Sequence, residues 1–275
     1  MLASMENYSN TVFRTLAHRH GADLTFTEMS HIEAINRNNQ DTIIKITPKD
    51  GTPVQVQILT SSPRKLDQLL TGFKPYSGFK GFNLNLSCPS KNVIMHGKGA
   101  AMIKRADKTR RLVEMIKDHG YPASIKIRLG LNQREKEGKL YLNPLRSVDP
   151  DFFIIHTKHA RQSSTSKEDY TVIPECIQEA RGIPVIANGG IDTPQKAREL
   201  QEQGVSGVMI GRAALQDPAI FNTIKNHLKI NNPPRETPIL SELKTEYKKI
   251  HERHGADEKY ITNFHKTLNN TNPTY

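Results

Sequence analysis

The chain has no tryptophan, and Phe, Tyr and Trp together make up 6% of it. It therefore advertises no aromatic platform on which the bases of a bare single strand could stack. It has only two cysteines, Cys88 and Cys176, and no CxxC. A disulfide framework and a zinc cluster are both out of reach, which suits a reducing cytoplasmic compartment. His156 and His159, and His251 and His254, lie close in sequence, but no carboxylate or thiol pattern completes a shell around either pair, so no metal is expected. No apolar run approaches the length of a membrane span, and no membrane partner is expected. Met1-Leu2-Ala3-Ser4-Met5-Glu6 lacks the basic-then-apolar layout of a secretory signal. Internal repeats and low-complexity tracts are missing too.

What the chain has in excess is positive charge. Its formal net charge is +11 over 275 residues. Between Cys88 and Leu140 there are 13 Lys and Arg against 5 Asp and Glu. A basic surface of this kind meets polyanions, nucleic acid first among them, although charge alone carries no sequence specificity.

Apolar strand candidates alternate with amphipathic helix candidates. The expected strands are Leu24–Thr27, Thr42–Thr47, Val54–Leu59, Gly81–Leu86, Ser124–Leu129, Phe152–His156, Pro184–Ala187 and Gly207–Ile210. Thr42–Thr47 and Val54–Leu59 flank Asp50-Gly51, which reads as a tight turn. Helices are expected near Thr11–His20, over Glu28–Asn38, from Pro63 to Gly72, over Ala101–Asp118 and Pro174–Arg181, and from Thr193-Pro194 to Gly204. Between Leu129 and Phe152 the polar sequence with Pro144 predicts a short or irregular helix. Eight strands alternating with helices predict a parallel sheet. Their spacing favours a (β/α)8 TIM barrel over an open doubly wound sheet. The catalytic barrel is expected over residues 1–230. After the linker Asn231-Asn-Pro-Pro234, residues 231–275 predict a short helical extension over Ser241–His254, ended by Gly255, and Lys259–Leu268.

The focal stretch is Gly81-Phe-Asn-Leu-Asn-Leu-Ser-Cys-Pro-Ser-Lys91. Phe82, Leu84 and Leu86 alternate with Asn83, Asn85 and Ser87, as in a strand, and Pro89 ends it because proline cannot donate to a ladder. A thiol thus stands at a strand tip, ahead of a polar, glycine-containing loop. The alternative for Cys88 is burial as a small hydrophobe, the common fate of a free cysteine; Cys176, mid-helix, is expected to be structural.

In a barrel the site lies at the C-terminal ends of the strands. Those ends read Ser4-Met5, Glu28, Gln57, Asn85 with Cys88, Lys126 with Arg128, His156, Asn188-Gly189-Gly190 and Gly211-Arg212. Glycine turns after the seventh and eighth strands let backbone N–H groups approach phosphate oxygens. Lys126 and Gln57, each between two apolar strand residues, need an anion or a hydrogen-bond partner inside. Gly97-Lys-Gly99-Ala-Ala-Met102 falls short of a dinucleotide fingerprint, because Met102 stands at the third glycine.

These landmarks together resemble the tRNA-dihydrouridine synthases, over Leu2 to about Leu268. They are Leu2-Ala-Ser-Met5, Thr27-Glu-Met29, Val56-Gln57, Asn85-Leu-Ser-Cys-Pro-Ser-Lys91, Gly97-Lys-Gly-Ala100, Ile125-Lys-Ile-Arg128, Ile155-His156, Ala187-Asn-Gly-Gly-Ile191 and Met209-Ile-Gly-Arg-Ala-Ala214. Asn85-Leu-Ser-Cys-Pro alone is also similar to dihydroorotate dehydrogenases. Ser4 replaces a usual proline and Gly190 a frequent aspartate. His156-Thr-Lys-His-Ala-Arg161 departs from the usual turn, and the helical extension is short.

The resemblance implies an FMN-dependent cytoplasmic oxidoreductase that reduces the C5=C6 bond of uridine in tRNA, with NADPH or NADH as electron donor. It implies Cys88 as the catalytic acid. Ser4 and Met5 would cover the flavin, Gln57 and Lys126 would hydrogen-bond its ring, His156 would contact it, and Asn188, Gly189, Gly190, Gly211 and Arg212 would hold its phosphate. Asn85, Lys91, Arg128 and Arg161 would meet the RNA. A monomer is expected. The alternatives are a small-molecule flavin dehydrogenase of the dihydroorotate dehydrogenase type, and an RNA-binding barrel without cofactor.

Overall fold

The computed structural model describes residues 1–255 and 257–269. Its strands are β1 (Thr25–Phe26), β2 (Ser30–His31), β3 (Val54–Leu59), β4 (Phe79–Leu86), β5 (Ala123–Arg128), β6 (Phe152–His156), β7 (Val185–Asn188) and β8 (Gly207–Met209). All pair in parallel, from β3 through β8 in chain order. β1 and β2 both pair with β3, at Thr25↔Val54 and Ser30↔Ile58, so they are two pieces of one stave interrupted at residues 27–29.

Residues 1–3 close the ring. Leu2 forms a parallel bridge with Ile210. On one side the Ala3 N–H donates to the Ile210 carbonyl at 2.8 Å, and the Ile210 N–H to the Met1 carbonyl at 2.9 Å. On the other, the Leu2 N–H donates to the Leu24 carbonyl at 2.9 Å. The architecture is a closed (β/α)8 barrel followed by two C-terminal helices.

Strand alternation sorts side chains to two cores. Val56, Ile58, Phe82, Leu84, Ile125, Ile127, Phe153 and Ile155 belong to the outer layer under the helices. Ala3, Phe26, Ile154, Ile186 and Met209 form a separate apolar cluster inside the ring. The rest of the lumen is polar. Gln57 Nε2 donates to Asn83 Oδ1 at 2.8 Å, and Asn83 Nδ2 to Ser124 Oγ at 2.7 Å. Ser124 in turn donates to Gln55 Oε1. Buried amides persist only when bonded, and here they bond one another across β3, β4 and β5.

Three expected elements come out differently. Thr42–Thr47, read as a strand from its β-branched residues, lies in the helix Gln40–Ile46. Asn39 caps that helix by accepting from the Thr42 N–H. Its turn buries Ile46 and half-buries Ile43 while leaving Ile44 61% exposed, a helical rather than an alternating pattern. The stave that it was counted for comes from residues 1–3. Ala101–Asp118 breaks at Arg105 into a 3-10 turn, Gly99–Lys104, and the helix Ala106–Asp118. Glu28–Asn38 is helical only over Ile32–Asn36. Between Leu129 and Phe152 lie two short helices, Gln133–Glu137 and Leu142–Ser147.

The tail folds as Leu240–His254 and Glu258–Asn269. It leans on the barrel helix Thr11–Arg19. Phe264 stacks on Tyr247 with ring centroids 3.9 Å apart and meets Phe13 edge-on at 6.0 Å. All three rings belong to the main apolar core. Tyr260 donates to Glu28 Oε2 at 3.1 Å, which ties the last helix to the end of β1. Removing so large a buried ring typically costs about 3 to 5 kcal/mol. Phe264→Ala should therefore lower the urea midpoint of the entire chain; an unchanged midpoint would mean that the tail does not share the barrel's core.

Candidate active site

The strand C-termini open into a cavity of about 1050 Å³. Its wall takes Ser4 and Met5 from the closing stave, Gln57 from β3, and Asn85, Ser87, Cys88 and Pro89 from β4 and its end. Lys126 and Arg128 of β5, His156 of β6, Asn188-Gly189-Gly190 after β7, and Gly211-Arg212 after β8 complete it. A parallel ring presents every strand end at one rim, so residues spread over the sequence converge. Of the strand-end and ligand-contacting residues expected from the sequence, Glu28, Lys91 and Arg161 are off this wall, Glu28 because it is fully buried beneath it. Lys91 is the exposed first residue of the helix Lys91–Met95, inside the stretch expected as loop. Arg161 is exposed, with its backbone N–H bonded to the Leu131 carbonyl.

Cys88 is half-buried and held through its backbone. Asn85 Oδ1 accepts from the N–H of Ser87 at 2.9 Å and from that of Cys88 at 2.8 Å. Asn85 Nδ2 donates to Gln57 Oε1 at 2.8 Å. The side chain of Asn85 thus links the lumen amides to the turn that carries the thiol, and one of its N–H groups is still free for a ligand. Arg128 braces the same turn, donating from Nε to the Ser87 carbonyl at 2.9 Å and from Nη1 to the His159 carbonyl at 3.3 Å.

The charges are unevenly compensated. Lys158 is 2% exposed and pairs with Glu168 Oε1 at 2.9 Å. Lys45 is shared by Glu6 at 2.7 Å and the fully buried Glu28 at 3.0 Å. Lys126, 8% exposed, makes no hydrogen bond or ion pair with any described residue, and neither does the side chain of Arg212. Arg128 touches carbonyls but no carboxylate. Asp192 is the acid on the wall left to offset these three cations. Desolvation pushes Lys126 down to about 7, with the Arg128 charge adding to it. The imidazole of His156 is held well below its usual range, by desolvation first and then by Arg128, Lys126, Lys158 and Arg212. It is therefore neutral at pH 7. Cys176 is fully buried in the outer core, and desolvation raises its thiol to about 12, as suits a structural residue.

Sequence reading missed Lys158, Glu168, Lys45 and Glu6. Lys158 follows His156 by two residues and could have been read as a strand-end residue. Glu168 carries no local signal, because it reaches the wall across a loop. It covers the turn after β7: a Cβ on Gly190 would lie 2.4 Å from Glu168 Oε2, and one on Gly189 would lie 2.9 Å from His156 Cδ2. Both glycines have positive φ, 109° at Gly189 and 53° at Gly190. Among the described residues no group of three or more His, Cys, Asp or Glu could hold a metal ion. No helix among them is long and apolar enough to cross a membrane.

The family model for dihydrouridine synthase (Dus) matches residues 1–272. The chain belongs to the dihydrouridine synthase family. It is similar to a probable tRNA-dihydrouridine synthase of Aquifex aeolicus, 28% identical over 90% of this chain and 80% of that protein. A probable tRNA-dihydrouridine synthase 2 of Bacillus subtilis is 30% identical over 80% of this chain and 70% of its own length. Among solved structures, a variant of NCR from Zymomonas mobilis matches with a TM-score of 0.49 and 13% identity, covering 90% of this chain and 91% of that one. The ring assignment rests on the strand pairing alone.

Gly189 is constrained both by its φ and by the His156 ring against it. Gly189→Ala combines a disfavoured backbone conformation with a collision against His156, and such strain costs of order 1–3 kcal/mol. A lowered thermal midpoint together with a shifted His156 ring resonance is the expected result. Wild-type values for both would show that the turn relaxes freely.

Proposed function

We propose that this chain reduces the C5=C6 bond of a uridine in cytoplasmic tRNA to dihydrouridine, with FMN as cofactor, NADPH or NADH as electron donor and Cys88 as proton donor. The observation that carries the reading is the thiol of Cys88 on the wall of a cavity whose buried Lys126 has no partner, in a chain of the dihydrouridine synthase family.

The residues present fit such a cofactor. Lys126, Arg128 and Arg212 leave a surplus of positive charge for a phosphate and an electron-rich ring. Gly189, Gly190 and Gly211 put bare backbone on the wall beside Arg212. The Lys158–Glu168 pair neutralises the carboxylate that lies over Gly190, so it does not stand against an incoming anion. Met5 and Ser4 would cover the ring. Gln57 retains one N–H and one lone pair beyond its bonds to Asn83 and Asn85. Neutral His156 offers a hydrogen bond without adding charge.

The reaction follows from uracil. Its C5=C6 bond is conjugated to the C4 carbonyl, so C6 accepts hydride and negative charge collects at C5. Reduced flavin, when bound, supplies that hydride. The chain must then deliver a proton to C5, and the Cys88 Sγ–H is the donor. The Sγ–H bond breaks as the C5–H bond forms, and solvent reprotonates the thiolate. Asn85 and Arg128 fix the turn on which the sulfur rides. The base must leave its helical context to reach the cavity. Lys91, Arg161 and the described helices of the extension, Leu240–His254 and Glu258–Asn269, are available outside the cavity for the RNA backbone.

Two experiments test this. In Cys88→Ala, bound FMN and its reduction by NADPH should persist, while dihydrouridine formation on tRNA falls by roughly 10²–10⁴. Undiminished product would remove Cys88 from the mechanism, and turnover of free orotate in place of tRNA would favour a small-molecule dehydrogenase. The second concerns Lys126. Desolvation leaves it largely neutral at pH 8 in the free protein, and a bound anion raises its pKa. FMN binding at pH 8 should take up a proton and weaken as pH rises above 7. Calorimetry in two buffers of different ionisation enthalpy reads this directly. The uptake should vanish in Lys126→Met; buffer-independent heats in the wild type would contradict the assignment.

A further inference from the structure

One recess on the barrel rim has no part in the chemistry above. It measures about 450 Å³, is floored by Ile94, Ala101 and Leu131, and is rimmed by His96, Lys104 and Arg105. Met95 stands at its edge and is 78% exposed, more than any other large apolar side chain among the described residues. Its polarisable thioether is therefore open to a partner at the edge of the recess.

Arg105 is set up unusually. It makes no ion pair and donates no side-chain hydrogen bond to a described residue. Its guanidinium lies against Gly97, where a Cβ would come within 3.2 Å of Nη1 and 3.3 Å of Nη2. Gly97 has φ 65°, a conformation that favours glycine, so the backbone there leaves room for the planar group. An uncommitted guanidinium is weakly hydrated and stacks on flat aromatic surfaces. A polarisable thioether does so as well.

The surroundings select the kind of flat group. Lys91, exposed, and Lys108, half-buried, flank the recess in sequence, and neither makes an ion pair with a described residue. The carboxylate that reaches this rim, Glu135, is already engaged by Lys104. An apolar slot with a planar cation and free lysines matches a nucleobase on an anionic backbone better than an apolar protein face. The recess is also joined to the reacting centre. The Ala100 N–H donates to the Cys88 carbonyl at 3.1 Å, and a Cβ on Gly99 would lie 3.0 Å from Cys88 Cβ. Residues 88 and 89 line the cavity, and residues 94–97 of the same segment line the recess.

We infer that this recess binds an unpaired nucleobase adjacent to the target uridine, stacked between Met95 and Arg105, and so helps to choose which uridine enters the cavity. The inference rests on the tRNA reading above.

The test is a double-mutant cycle between protein and RNA. Transcripts carry an abasic nucleotide on the 5′ or the 3′ side of the modified uridine, and dihydrouridine formation is measured with wild type, Arg105→Ala and Met95→Ala. Stacking of one base on a side chain strengthens binding by about tenfold or more. With wild type, one of the two abasic transcripts should therefore lose about tenfold in kcat/KM. Arg105→Ala should lose a similar factor on the intact transcript and nothing further on that abasic one. Thermal midpoints of the variants report folding. If the abasic losses persist in full in both variants, the bases lie elsewhere and the inference fails while the tRNA reading stands. If wild type makes no dihydrouridine on the intact transcript, the tRNA reading fails and takes this inference with it. If Met95→Ala instead dissociates a dimer and leaves the abasic losses unchanged, the recess serves a second copy of the chain and the inference is overturned.

Discussion

Three backbone hydrogen bonds at residues 1–3 join β8 to the start of β1 and turn a curved sheet into a ring. Closure removes both sheet edges and fixes a single rim where every strand ends. The cavity exists because of that rim. Without the closing stave, Ser4 and Met5 would leave the wall, and the inner apolar cluster that includes Ala3 would face solvent. The lumen is not uniformly apolar. One side is filled by Phe26, Ile154, Ile186 and Met209, and the other by a ladder of amides and hydroxyls that ends at Asn85. That ladder transmits the positioning of the barrel interior to the turn carrying Cys88.

Electrostatics divides the cations of the wall into two groups. Lys158 and Lys45 are held by carboxylates and act as structural rivets. Lys126, Arg128 and Arg212 are left without a carboxylate partner. Burying an uncompensated lysine is costly, and a fold keeps one where an anion is to be held. The neutral state of His156 has the same origin, since desolvation and four nearby cations disfavour its charged form.

Much of this was legible in the sequence because it depends on local pattern. The end of β4 at Cys88-Pro89, the polar residues Gln57 and Lys126 between apolar neighbours, and the glycine turns after β7 and β8 are features of short segments, and the parallel alternation placed them at one rim. The failures are equally specific. Thr42–Ile46 has the β-branched composition of a strand, but the Asn39 cap and the burial of Ile46 make it a helix. The true first stave is too short to give a periodic signal, since its role depends on Leu24 and Ile210, far away in the chain. Glu168 and Glu6 act through pairs that span loops, and nothing in their neighbours announces those partners. The tail was visible as two amphipathic helices, but not its docking through Phe13 and Glu28.

The hydrogen bond from Tyr260 to Glu28 gives that docking a consequence. Glu28 also grips Lys45, whose side chain faces the cavity, so one carboxylate holds both the last helix and part of the rim. Loosening the tail therefore loosens the mouth, and filling the mouth braces the tail. A protease acting on residues 240–269 would report the occupancy of a cavity that it never touches.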